Sequence, residues 1–141
     1  MTTTREAKAA LPVPEPVITP ESAPYWAAAA RGTLSLQRCD DCDSVVWYPR
    51  GLCPDCGSRS LTWFDASGRG TVYSYTVNRR GQGEYREASP YVLAYVELAE
   101  GPRVLTNIVG CDPSEVSIGD QVIVVFDRAG DDAALVRFKP A

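Results

Sequence analysis

Apolar and polar residues alternate with period two through the second half of the chain. Val92, Ala94, Val96 and Leu98 share one side of an extended stretch. Val122, Val124 and Phe126 do the same, as do Val136 and Phe138. This pattern predicts strands over 71–77, 91–98, 103–109, 121–126 and 134–138, each with one buried face and one wet face. Gly68, Gly70, Gly101, Gly110, Gly119 and Gly130 punctuate them. Five short strands in sequence predict a small closed barrel, because closure removes exposed sheet edges.

The first half reads differently. Residues 34–66 alternate in short pieces around cysteine turns: Leu34 to Arg38, Val45 to Tyr48 and Leu61 to Phe64. Before them, a helix is predicted over 20–33. Thr19 can cap it, Pro20 suits the first turn, Glu21 favours the positive end of the dipole and Gly32 is placed to stop it. Tyr25, Trp26, Ala29 and Ala30 form its apolar stripe. So short a helix is marginal alone. The stripe therefore packs on the chain's own body or anchors a partner, a role for which Tyr and Trp are favoured. In residues 1–19, Pro12, Pro14 and Pro16 alternate with Val13, Glu15 and Val17. Proline this dense forbids helix and predicts a disordered or polyproline-like tail, with a docking peptide as the other reading.

Cysteine placement carries the clearest chemistry. Cys39 and Cys42 form one C-x-x-C pair, and Cys53 and Cys56 form another. Each pair folds into a knuckle that aims two thiolates at one point, and two knuckles complete a tetrahedron suited to Zn²⁺. Tetrahedral sulfur also suits iron, which absorbance would distinguish. Four thiolates fill the coordination sphere, so the metal is structural: a catalytic zinc keeps one position open. Gly57 follows the second pair, and Asp43 takes the matching place after the first. The fifth cysteine, Cys111, reads as a small buried hydrophobe.

Composition narrows the function. The chain has 141 residues, a formal charge of −4 and no histidine. Histidine-based acid–base chemistry and triads are excluded, and an acidic surface disfavours nucleic-acid backbones. No apolar run approaches a membrane span and no secretory signal begins the chain, so a soluble cytoplasmic protein is expected. Two surfaces remain as candidates. The loop between the first two barrel strands carries Arg79, Arg80 and Arg86, which match a phosphate-rich ligand or are simply solvated on a mobile loop. Tyr73, Tyr75, Tyr91 and Tyr95 fall on odd-numbered positions of those strands, where they serve barrel packing, a partner or stacked bases.

Taken together, Tyr25-Trp26, Gly32, the run from Leu34 to Cys39, Tyr48-Pro49-Arg50, the run from Cys53 to Ser58, the run from Gly68 to Thr76 and Gly119-Asp120-Gln121-Val122 resemble one family across about 21–139. It is the family of acyl-CoA-associated proteins that join a rubredoxin-like zinc ribbon to an OB-fold. Asp43 departs from it, standing where the family usually has glycine. The resemblance implies a mainly β fold: an N-terminal helix (20–33), a zinc ribbon (34–66) and a five-stranded OB barrel (67–141), which follow the tail (1–19) read from its prolines. It also implies partners. Family members accompany thiolase-superfamily enzymes, including lipid-transfer-type aldolases, and some are fused to or bind hot-dog-fold hydratases. They scaffold or shape an acyl-CoA site while the partner holds the catalytic residues.

The leading expectation is thus a non-catalytic accessory subunit with structural zinc on Cys39, Cys42, Cys53 and Cys56. Arg79, Arg80 and Arg86 are its candidate CoA contacts, and Tyr25, Trp26, Tyr75, Tyr91 and Tyr95 its candidate partner surface. The alternatives are a single-stranded nucleic-acid module and an enzyme acting alone on acyl-CoA.

Overall fold

The structure is a computed structural model and describes residues 10–141; the part of the expected tail before Ala10 lies outside the described residues. One helix, α1 (Ala23–Ala30), precedes eight strands: β1 (Ser35–Cys39), β2 (Val45–Val46), β3 (Leu61–Asp65), β4 (Arg69–Asn78), β5 (Tyr91–Leu98), β6 (Arg103–Ile108), β7 (Gln121–Arg128) and β8 (Ala134–Pro140). The first three form an antiparallel sheet in the order β2-β1-β3, and the last five close a barrel in the order β4-β5-β6-β8-β7. This is a mainly β chain with a ribbon and a five-stranded OB barrel.

Helix α1 is shorter than the 20–33 predicted from its caps and apolar stripe. Ser22 and Ala23 donate to the Thr19 carbonyl, so a turn does begin at Thr19. Pro24 has no N–H, however, and cannot extend that turn into a regular ladder. The helix proper starts at Ala23, with Ser22 in the cap position. Its end is a Schellman turn. Thr33 donates to the Ala28 carbonyl and Gly32, at φ +80°, to that of Ala29.

The helix packs against β1, β7 and β8, and so joins ribbon to barrel. Tyr25 and Trp26 are 2% and 8% exposed. Tyr25 makes edge-on contacts with Trp26, Trp47 and Tyr48, and Trp26 Nε1 donates to the Tyr48 hydroxyl at 3.2 Å. Burial pushes the Tyr25 phenol up, aided by Tyr48. Trp47 and Tyr48 leave the sheet to make this cluster, which is why β2 stops at Val46. Inside the barrel, Val72, Val92, Val96, Val122 and Phe138 are the fully buried centre.

One irregularity reorders the barrel surface. Val72 pairs with Val96, but Ser74 pairs with Tyr95, so Tyr73 is an extra residue on β4. Such a bulge flips the alternation of everything after it. Tyr75 pairs with the buried Ala94, and Ser74 is the residue beside Tyr95. By register Tyr75 thus leaves the row that Tyr91 and Tyr95 keep on β5, yet it stays exposed and lines one groove with Tyr95.

Candidate metal centre and barrel surface

Two strand ends and two tight turns bring the four cysteines together. In the first knuckle Asp43 N–H donates to the Cys39 carbonyl and Cys39 N–H to the Ser44 carbonyl. In the second, Gly57 donates to Cys53 and Cys53 to Ser58, at the same lengths of 2.9 and 2.8 Å. Asp43 (φ +66°) and Gly57 (φ +76°) take the same left-handed conformation. The four Sγ atoms lie within 4.8 Å of one another. Cys39 to Cys56 and Cys42 to Cys53 are each 3.5 Å apart. A tetrahedron with Zn–S bonds of about 2.3 Å has edges of about 3.8 Å, so the donor set fits zinc.

The electrostatics also ask for a cation. Hydrogen bonds from the side chain and then the backbone of Ser44 pull the Cys42 thiol down to about 6. The Ser58 amide pulls Cys56 the same way, but the sulfurs of Cys39 and Cys42 push it up to about 12. Four crowded thiols resist losing all their protons unless a divalent ion balances them. Cys39 and Cys53 are buried while Cys42 and Cys56 face solvent.

A residue that the sequence did not single out holds the second knuckle in place. Gln37 on β1 is 5% exposed. Its Nε2 donates to the Arg50 carbonyl and its Oε1 accepts from the Arg50 N–H, both at 3.0 Å. A glutamine amid alternating strand residues is unremarkable in sequence; only its burial marks it.

The arginine loop is braced. Ser89 Oγ accepts from Gly81 N–H at 2.6 Å and donates to the Tyr85 carbonyl at 2.9 Å. A Cβ at Gly81 would run into the Tyr85 carbonyl, so glycine is required there. Arg79, Arg80 and Arg86 are exposed, and among the described residues none of them joins an ion pair. Tyr91 belongs to this brace: its hydroxyl accepts from Asn78 Nδ2 at 2.8 Å and its ring lies 5.4 Å from Tyr85.

The predicted partner surface is thus divided. Tyr25 and Trp26 are corrected to core, because α1 spends its aromatic stripe on joining the two lobes. Tyr91 is half-buried under the loop. Tyr75 and Tyr95 remain exposed and, with Leu93 and Leu105, line a shallow groove of about 230 Å³. Tyr95 and Leu105 are 46% and 52% exposed. Beside them Arg103 lies 3.8 Å above the Tyr73 ring and pairs with Glu97 at 3.1 Å. Cys111 is partly covered against the core. Among the described residues, no helix is long and apolar enough to cross a membrane.

Comparison with known proteins agrees with this architecture. Residues 26–62 match the ChsH2 rubredoxin-like zinc ribbon domain and residues 63–127 the ChsH2 C-terminal OB-fold domain. A DUF35 domain-containing scaffold protein of Methanothermobacter thermautotrophicus is 38% identical over 78% of this chain and 88% of its own length. A probable enoyl-CoA hydratase alpha subunit of Thermomonospora curvata is 38% identical over 91% of this chain, which spans only 40% of that subunit. A solved chain described as Ltp2-ChsH2(DUF35) aldolase superposes with a TM-score of 0.78 at 36% identity, covering 89% of this chain and 98% of that one. The chain belongs to the ChsH2-type DUF35 family of zinc-ribbon and OB-fold proteins, and its cysteine centre is a structural zinc site.

Proposed function

We propose that the chain is a non-catalytic subunit of an acyl-CoA-processing complex, docked on a thiolase-like enzyme of the aldolase or condensing type. The observation that carries this reading is the superposition over 98% of a solved chain described as part of an Ltp2-ChsH2 aldolase. The geometry supports it. Four sulfurs saturate the ion, so the zinc has no open position for substrate. The zinc supplies folding energy to a ribbon too small to bury its own core.

The groove of Tyr75, Leu93, Tyr95 and Leu105, flanked by Tyr73, is the surface that meets the enzyme. Exposed aromatic and aliphatic side chains of this kind anchor interfaces. Arg79, Arg80 and Arg86 stand one strand end away, since Asn78 pairs with Tyr91 where the arginine loop begins. Free guanidinium groups there suit the phosphates of a CoA held by the partner. The setting is the cytoplasm, where CoA thioesters are handled and cysteines stay reduced.

The test is co-expression of the zinc-loaded chain with a thiolase-like protein of the same host. A stable complex that elutes as one species is the expected result, and separate elution of two folded proteins would count against the reading. Salt-sensitive binding of single-stranded oligonucleotides by the isolated chain would favour the nucleic-acid alternative instead.

A further inference from the structure

Residues 10–18 form no helix or strand, yet Leu11, Pro12 and Pro16 are half-buried. The reason lies on β8. Arg137 is 3% exposed, with its guanidinium inside the fold. Burying an arginine is costly unless charge and hydrogen bonds compensate. Nη1 donates to Asp127 Oδ2 at 2.6 Å and so supplies the charge. Nη2 donates to the carbonyl of Pro12 at 2.5 Å, from a residue 125 positions away.

Two further observations place the segment on the barrel. Ala10, Leu11 and Val13 face Phe126, Val109 and Arg137 across a cavity of about 420 Å³. Glu15 lies against the turn at Gly130, where a Cβ would approach its carboxyl carbon to 3.0 Å. The segment suits such a site. Prolines at 12, 14 and 16 fix φ, so little backbone freedom is lost on docking. A polyproline-like chain also makes no internal hydrogen bonds, which leaves its carbonyls free to accept.

We propose that Arg137, Phe126 and the Gly130 turn form a binding site for an extended, proline-rich segment, filled in cis by residues 10–16. Its ligand class is a polyproline-like backbone with an aliphatic residue before the anchoring carbonyl and an acid three residues after it, as Leu11, Pro12 and Glu15 provide. The tether gives this segment an effective concentration in the millimolar range, so a competing segment enters only when the strap is loosened. The site is separate from the barrel groove and independent of the docking proposal.

Backbone ¹⁵N relaxation of the full-length zinc-loaded chain tests it. Leu11 and Val13 are expected to show order parameters near ~0.85, like the barrel, and to fall below ~0.6 in Arg137→Met. Leu11→Asp, which leaves the barrel residues untouched, is expected to release the strap in the same way and to shift the Arg137 Nε–H resonance. A peptide of residues 10–17 added to Leu11→Asp then returns that resonance toward its original position. Mobile Leu11 and Val13 in the unmodified chain, order unchanged in Leu11→Asp, or no response to millimolar peptide would each overturn the proposal.

Discussion

Asp43 and Gly57 occupy equivalent left-handed positions in the two zinc knuckles, each donating its N–H to the first cysteine of its pair. One position carries the residue the geometry prefers and the other does not. A side chain in this conformation costs about 1–2 kcal/mol, less for Asp than for most. The Arg38–Asp43 ion pair, at 3.7 Å between exposed groups, returns little. Asp43→Gly is expected to raise the thermal midpoint of the zinc-loaded ribbon. Gly57→Ala has open space for its Cβ and is expected to lower it by backbone strain alone. Melting curves of the two variants check the pair, and the same sign for both would contradict it.

Gln37 bridges both polar atoms of the Arg50 backbone from a buried position. Gln37→Ala strands a donor and an acceptor, at about 1–3 kcal/mol for each group left unsatisfied. Denaturant titration is expected to show a loss of at least ~2 kcal/mol and weaker zinc retention. Unchanged stability would mean that water replaces the amide without cost.

Removal of metal separates the two lobes energetically. Chelation, or Cys39→Ala or Cys56→Ala, is expected to unfold the ribbon and expose Trp47 and Trp63, shifting tryptophan emission to the red. The barrel has its own buried centre in Val72, Val96, Val122 and Phe138 and keeps its β signal. Metal analysis should give one zinc per native chain and none in either variant. Bound metal with native emission in a cysteine variant would contradict the assignment.

Cys111 should be a sluggish thiol. Burial pushes its pKa up, and the carboxylates of Glu115, Asp112 and Asp120 add to the shift. The thiolate is the reactive form, and a raised pKa means that it forms only at higher pH than in an ordinary cysteine. Alkylation of the zinc-loaded chain is therefore expected to be slow near neutrality and still accelerating where a free cysteine has levelled off. A rate at neutral pH equal to that of a free thiol would contradict this.

The barrel groove gives the sharpest interface test. Tyr95 and Leu105 project outward from β5 and β6 at directly paired positions. Tyr95→Asp with Leu105→Asp is expected to leave the fold and zinc content intact while weakening association with the partner at least 100-fold, as interface anchors of this kind cost several kcal/mol. Equal affinity for the double variant would move the interface elsewhere.

Much of this was legible in the sequence, for reasons that particular residues make clear. The C-x-x-C pairs and the period-two runs of β5 and β7 are local signals, and the ribbon and barrel followed from them. What escaped depended on long-range geometry. The bulge at Tyr73 has no local sequence signature, so the odd-number pattern puts Tyr73 and Tyr75 in one unbroken row. Tyr25 and Trp26 suit a core or a partner by sequence alone, and only their packing on Trp47 and Tyr48 assigns them to the core. Arg137 sits in a strand read only for Val136 and Phe138, and its carbonyl partner lies at the opposite end of the chain in a segment read as a tail.

The proposed role of this chain is to lend structure to another protein's chemistry. Acyl-CoA turnover should be measured for the zinc-loaded chain alone, for its thiolase-like partner alone and for the two together. The chain alone is expected to turn over nothing, and the complex to exceed the partner alone. Turnover by the isolated chain, or a partner indifferent to its presence, would contradict the account.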